Sequence, residues 1–284
     1  MTPAPSHAPH EIECSGLSHI GSVREDNQDA IRLSGDTPAA DRRLFAIADG
    51  MGGYSHGGIA SQTALETFFE TFYGDQAPVV PRRMRRSIEA ANLGVFQMAQ
   101  RLGAVRMGTT LTAVTIVGQQ LHVAHVGDSR AYLIRDQHAQ LITNDHTHVG
   151  DLVRMKVIAP DKIRTHAQRS ILTKGLGLGL FVQPDITSHA LRDNDRIVLC
   201  SDGLWSMIED HEFAQLSQTA HSAADLSQRL IELALDRESD DNLSAVVIHL
   251  HRLGSPVPES NGRRTWAIPN PFRKQTYEHN TNKP

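Results

Sequence analysis

Four aspartates, Asp49, Asp128, Asp202 and Asp241, stand where short apolar runs meet Gly or Asn. Leu44-Phe45-Ala46-Ile47-Ala48 runs into Asp49-Gly50, Val123-Ala124-His125-Val126 into Gly127-Asp128, and Ile197-Val198-Leu199-Cys200 into Ser201-Asp202-Gly203. Asp241-Asn242 instead opens the run Leu243 to Leu250. Apolar runs of this length bounded by turn residues read as buried strands, which places the carboxylates at strand tips. A carboxylate at the edge of an apolar core is costly without a partner, and four from distant parts of the chain need a shared one. A hard divalent cation satisfies them together, and an all-oxygen donor set suits Mg²⁺ or Mn²⁺. Two such ions held by shared carboxylates about 3.5–4 Å apart clamp a phosphate and acidify a water, which is the chemistry of phosphate-ester hydrolysis without a protein nucleophile. That chemistry also asks for a cation on the phosphate oxygens, and Arg24, in Gly21-Ser22-Val23-Arg24-Glu25-Asp26-Asn27-Gln28-Asp29, is the candidate.

The elements that must position these residues follow from periodicity. A first strand, a turn at Gly21 and the entry of a second strand are expected within Glu13 to Arg32. Ala60, Ala64, Leu65, Phe68, Phe69 and Phe72 form one face of a helix over Ile59 to Tyr73, and Met84, Ile88, Ala91, Val95, Met98 and Leu102 form another over Arg83 to Leu102. β-Branched runs from Thr109 to Ile134, broken at Gly118, predict antiparallel strands. Residues 144–183 lack a clear period apart from a short helix near Val149 to Lys156, the mark of a functional flap. Helices near Glu209 to Leu216 and Ala223 to Asp236 precede a last strand at Leu243 to Leu250. Strands in two groups with helices inserted after the first and before the last predict an α+β fold in which two sheets pack face to face under helices.

Composition narrows the function. The 284 residues carry 39% hydrophobic and 21% charged residues with a formal net charge of -4, an ordinary globular balance that argues against general nucleic-acid binding. The basic run Arg82-Arg83-Met84-Arg85-Arg86 reads as a solvated helix start. Two distant cysteines, Cys14 and Cys200, point to a reducing compartment, with Cys200 a strand residue. The sequence Met1-Thr2-Pro3-Ala4-Pro5-Ser6-His7 has no signal-like pattern and no run approaches a membrane span, so a cytoplasmic protein is expected. Expected boundaries are a flexible N-terminus at 1–12, one catalytic domain at 13–252, and a disordered tail at 253–284 in which Trp266 and Phe272 are the docking anchors.

The segments Gly21 to Asp29, Ala48-Asp49-Gly50-Met51-Gly52-Gly53, Met107-Gly108-Thr109-Thr110, Val126-Gly127-Asp128-Ser129-Arg130, Ser201-Asp202-Gly203-Leu204 and Asp240-Asp241-Asn242 follow one another in the order and spacing of the metal-dependent type 2C protein phosphatases. The resemblance covers roughly residues 13–251. It implies a four-layer α/β/β/α sandwich of two antiparallel sheets, with a bimetallic site at one end. It further implies hydrolysis of phosphoserine and phosphothreonine in proteins by a water that two Mn²⁺ or Mg²⁺ ions activate, opposing a Ser/Thr protein kinase in bacterial signalling. Asp49 resembles the carboxylate that bridges both metals, and the Gly50 carbonyl a ligand of the second; Asp202 and Asp241 resemble ligands of the first, and Arg24 the phosphate clamp. Asp128 resembles a ligand of a weaker third metal, and Gln28, Asp29 and Asn242 lie behind the ligands.

Some positions depart from the pattern. Gln28 stands where many relatives carry Glu, Ser206 where an Asp completes the third metal site, and Lys156 where the flap has a Gly. Met51 takes the place of the histidine that eukaryotic relatives use as general acid, so water becomes the default proton donor ahead of His56. Two other readings keep these residues: a catalytically dead phosphoprotein-binding scaffold, and a metal-dependent phosphatase acting on a small metabolite. His146, His148 and His166 fit no zinc spacing and are expected to face solvent. Gly175-Leu176-Gly177-Leu178-Gly179 lacks the third glycine and the strand-turn-helix setting of a dinucleotide loop, and neither Ser129 nor Ser201 sits in a nucleophile elbow. A monomer is expected.

Overall fold

Alternation along the apolar strands sorts their side chains onto two faces, and in the computed structural model both faces are buried. The structure describes residues 10–34, 43–52, 56–104 and 106–254. Among these, the strands are β1 (Glu11–His19), β2 (Asp29–Leu33), β3 (Arg43–Met51), β4 (Gly108–Thr109), β5 (Leu111–Val117), β6 (Gln120–Val126), β7 (Arg130–Arg135), β8 (His138–Leu141), β9 (Asp185–Ala190), β10 (Arg196–Cys200) and β11 (Leu243–Arg252). The helices are α1 (His56–Gly74), α2 (Val80–Leu102), α3 (His148–Arg154), α4 (Asp202–Trp205), α5 (Asp210–Thr219) and α6 (Ala223–Asp236). One sheet has the order β1-β11-β10-β7-β8 and the other β2-β3-β5-β6-β9, with β4 paired to β3, and every pairing is antiparallel.

Phe45, Ile47, Val114, Ile116, Leu121 and Val123 of one sheet meet Ala131, Leu133, Ile197, Leu199, Val246 and Ile248 of the other in the middle layer. The alternate residues Leu44, Ala46, Ala48, Leu111, Ala113 and Ala124 face α1 and α2, whose Phe68, Phe72, Met84 and Ile88 cover them. Tyr132, Val198, Cys200, Ala245 and Val247 face α5 and α6, through Phe213, Leu226 and Leu230. The period of two along each strand therefore fills three apolar layers between four layers of backbone. Local capping fixes two helix ends. Gly103, at φ +64°, ends α2 in the left-handed region, and Ser222 caps α6 by accepting from the Asp225 amide at 3.0 Å.

Several elements differ from expectation. α1 starts three residues ahead of Ile59, and β1 starts at Glu11. β9 is an edge strand that the sequence reading left out, because its partly exposed, polar residues Asp185 to Ala190 carry no apolar run. Arg83 is not a solvated helix-start residue. It is 2% exposed, donates from Nη2 to the Ala77 carbonyl at 2.7 Å, and lies 5.2 Å over the Phe72 ring, because its position falls on the buried stripe beside Met84. Lys156 follows α3 with φ +58°, the left-handed conformation a glycine would take freely. Among the described residues no helix is long and apolar enough to cross a membrane. Gly53, the tail with Trp266 and Phe272, and residues 1–9 lie outside the described residues.

Strand register fixes where the carboxylates go. Cys200 pairs with Ala245 on one side and Arg130 on the other, so Asp202, Asp241 and Asp128, each two residues beyond a strand end, emerge at the same end of the first sheet. In the second sheet Asp29 sits directly opposite Asp49.

Candidate metal centre

Asp49 ends the apolar part of β3, and two threonines hold its backbone. Its amide donates to Thr110 Oγ1 at 2.9 Å, and its carbonyl accepts from Thr109 Oγ1 at 2.8 Å and from the Thr110 amide at 2.9 Å. The Thr110 hydroxyl in turn meets Ser129 Oγ at 2.8 Å, which ties the β3 tip to the turn carrying Asp128. Gly50 follows in tight quarters: its amide donates to the Gln28 carbonyl at 3.1 Å, and a Cβ on Gly50 would lie 2.0 Å from the Gly57 carbonyl oxygen. The Gln28 side chain lies over the start of α1, where a Cβ on Gly57 would come within 1.9 Å of its Oε1.

Asp202 opens α4 and lines the same cleft as Asp49. Asp241 accepts from the Asn242 amide at 2.8 Å through Oδ1 and from Arg24 Nη2 at 2.7 Å through Oδ2, while Arg24 Nε donates to the Asp240 carbonyl at 3.3 Å. Arg24 thus stands at the mouth of the site, half-exposed, with its fork turned onto one of the acids. Asn242 does not face the cleft with a charge; it anchors the Arg24 loop. Its Oδ1 accepts from the Gln28 amide at 2.9 Å, and its Nδ2 donates to the Ile20 and Asp26 carbonyls at 2.8 and 3.0 Å.

Asp128 is 4% exposed, and its carbonyl accepts from Trp205 Nε1 at 2.9 Å. Behind it the Arg130 guanidinium lies 3.6 Å over the Trp205 ring and forms a fork with Asp145 at 3.0 and 2.7 Å, both side chains 2% exposed. Arg130 also donates to Tyr132 Oη at 3.1 Å, and Tyr132 to Asp210 at 3.0 Å. This supporting network was not read from the sequence, although Arg130 lies in the Asp128 motif. Arg130 and Asp145 are far enough apart along the chain that only the fold pairs them.

The acids are crowded. Burial pushes the carboxyls of Asp49, Asp128 and Asp202 above the ordinary range, reinforced by Asp29 for the first, by Asp202 for the second and by Asp241 for the third. Burial likewise raises Asp29 to about 7, although hydrogen bonds with Ser244 and Ser201 oppose the rise. Asp29 Oδ2 is buried without a hydrogen-bond partner. Asp49, Asp128, Asp202 and Asp241 line one open cleft of about 970 Å³, together with Arg24, Gln28, Gly50, Arg106 and Asn242. Arg169 and Ser206 line its extension beside Asp128 and Asp202. Three arginines at the rim and acids at the floor suit a cation below and a phosphate above. The orphaned Asp29 oxygen and the raised carboxyls fit a divalent ion whose charge would let the acids ionise together. Among the described residues, no three of these carboxylates come within 4.8 Å of one another.

The structure also places His56, His146 and Cys200. His56 opens α1 and is not among the residues lining the cleft. His146 does not face solvent: it is fully buried, its Nδ1 accepts from the Gly127 amide at 3.1 Å, its Nε2 lies 3.3 Å from Asp185, and its ring stacks at 4.9 Å on His125. A flap histidine is buried because the flap returns to the sheet, with the His146 amide donating to the Gly127 carbonyl at 2.8 Å. Cys200 is a buried strand residue, and burial pushes its thiol pKa up.

This end of the sandwich has the build of a metal-dependent phosphatase. The chain belongs to the protein phosphatase 2C family, whose model matches residues 15–246. The serine/threonine protein phosphatase PstP of Mycobacterium tuberculosis is 36% identical over 240 residues, which are 83% of this chain and 44% of PstP, so the chain spans less than half the length of that relative. Protein phosphatase PhpP of Streptococcus pneumoniae is 30% identical over 243 residues, 84% of this chain and 98% of PhpP. The solved catalytic domain of PstP in complex with two manganese ions superposes with a TM-score of 0.74 at 32% identity, covering 84% of this chain and 98% of that domain.

Proposed function

We propose that this chain removes phosphate from phosphoserine and phosphothreonine in protein substrates, opposing a Ser/Thr protein kinase in bacterial signalling. The observation that carries the reading is the set of acids Asp49, Asp128, Asp202 and Asp241, Asp128 buried and the others half-buried, lining a single cleft together with Arg24. Asp49, Asp202, Asp241 and the Gly50 carbonyl would hold two Mn²⁺ or Mg²⁺ ions, a reading supported by the two manganese ions in complex with the PstP domain. Asp128 would serve a weaker third ion, a site that Ser206 leaves one carboxylate short. Bound there, a divalent pair supplies charge stabilisation for the phosphoryl oxygens and an activated water.

The chain's own groups do the rest. Arg24 exchanges its Asp241 partner for the non-bridging phosphate oxygens, which its planar fork matches two at a time. Asn242 keeps the Arg24 loop in register with Asp241, and Thr109 and Thr110 keep Asp49 at the strand tip. Gln28 and Asp29 support the floor from behind, Asp29 with a buried oxygen that has no hydrogen-bond partner. Among the described residues no histidine lines the cleft, and Met51 carries no proton, so water protonates the departing alkoxide.

The test is a comparison of rates. With Mn²⁺ present, a panel of phosphoserine and phosphothreonine peptides should be turned over faster than sugar phosphates, and a chelator should stop the reaction. A clear preference for the sugar phosphates would move the substrate class to metabolites, and no turnover at any Mn²⁺ concentration would leave a binding scaffold.

A further inference from the structure

A second set of metal-ligating side chains lies on the outer face of the first sheet. Glu13 of β1 sits directly opposite His249 of β11 in the strand register, and His251, two residues on, shares the same face. One ligand atom from each of the three lies within 4.8 Å of the other two. His251 Nε2 is 3.4 Å from Glu13 Oε2, close to the edge of about 3.3 Å expected between two ligands of a tetrahedral zinc ion. The two imidazole rings are 3.9 Å apart between centroids, and the buried Nδ1 of His249 has no hydrogen-bond partner.

The donors differ in kind from those of the cleft. Two imidazoles and one carboxylate are the three protein ligands of an open zinc site, whereas the cleft offers oxygen alone. The carboxylate is already oriented, because Glu13 Oε1 accepts from the Ala223 amide at 3.0 Å, and such outer contacts fix a ligand's direction. The nearest cation on the same face is Arg196, opposite His249 on β10, and its guanidinium is turned to α5, donating to Ser217 Oγ at 3.0 Å and the Ala220 carbonyl at 3.4 Å. At roughly 3.4 Å per residue, the eight residues from Asp241 to His249 put the set about 27 Å along β11 from the cleft.

We infer that Glu13, His249 and His251 form a zinc-class metal site, separate from the phosphatase cleft, that fastens the edge strand β1 to β11. Its fourth position faces solvent, since the Glu13 and His251 side chains are 36% and 39% exposed.

The test uses the full chain, stripped with chelator and then held in saturating Mg²⁺. Calorimetric titration with Zn²⁺ on the wild type and on His249→Ala should show one zinc fewer, or one weakened by more than about a hundredfold, in the variant. Zinc taken up at the cleft is common to both proteins and cancels. Cu²⁺ added instead should give electron-paramagnetic-resonance coupling to imidazole nitrogen that His249→Ala reduces. Glu13→Gln, which keeps the histidines, should weaken zinc about tenfold or more. All the variants should keep wild-type turnover of phosphopeptide with Mn²⁺, which certifies their fold. Zinc stoichiometry and affinity unchanged in both folded variants would overturn the inference, as would a copper spectrum indifferent to His249.

Discussion

Asn242→Ala removes three hydrogen bonds and no charge. Asn242 is 6% exposed and binds the Gln28 amide, the Ile20 carbonyl and the Asp26 carbonyl at 2.8 to 3.0 Å, pinning both ends of the loop that carries Arg24. At a net contribution of about 1 kcal/mol each, the substitution loosens that loop by about 3 kcal/mol. If the loop must be restored for Arg24 to meet the phosphate, the whole amount appears in kcat/KM, a loss of about a hundredfold. Steady-state turnover of a phosphothreonine peptide with Mn²⁺, alongside thermal unfolding, measures both shares. Asn242→Asp separates anchoring from bulk, since it keeps the acceptor for Gln28, loses both donors and adds charge beside Asp241; it should be no more active than the alanine variant. A kcat/KM within threefold of wild type for Asn242→Ala, with an unchanged melting temperature, would refute the anchoring role.

Other outcomes follow from the same geometry. Arg130→Met leaves Asp145 buried without its partner and should cost about 3–5 kcal/mol in denaturant unfolding, part of which Arg130→Met/Asp145→Asn recovers. Burial holds the His125 pKa near 4 against an ordinary 6.5, so the unfolded chain takes up the proton first. Stability should therefore fall as pH drops from about 6.5 to about 4, by at most about 3 kcal/mol from this residue, and His125→Gln should flatten that part of the curve. Lys156→Gly should raise stability by up to about 1 kcal/mol by relieving the left-handed backbone at φ +58°; a lower melting temperature would contradict it.

The carboxylates were legible because each interrupts an apolar run beside a small or turn residue, a local signal that places Asp49 and Asp128 at strand tips. The packing helices were legible for the same reason, since Phe68, Phe72, Met84 and Ile88 repeat at helical spacing. Local pattern fails where the third dimension chooses the partner. Arg83 reads as one of four surface arginines, yet the stripe it shares with Met84 turns it inward to Ala77 and Phe72. His146 looks like a solvated loop residue until the flap returns to Gly127. Arg130, paired with Asp145 of a separate segment, lies over Trp205, and Glu13 meets His249 only through the pairing of the first strand with the last. β9 was missed because an edge strand needs no apolar run to be held by its neighbour.

The central claim is that acids brought together from four strand ends hold divalent cations for phosphoryl chemistry, and Asp49→Asn tests it most directly. Calorimetric titration with Mn²⁺ should give strong uptake by the wild type and clearly weakened uptake by the variant. Turnover of a phosphothreonine peptide should fall with it, by several kcal/mol or about a thousandfold. An Asp49→Asn protein that binds Mn²⁺ as tightly as the wild type and turns over at a comparable rate would contradict the account.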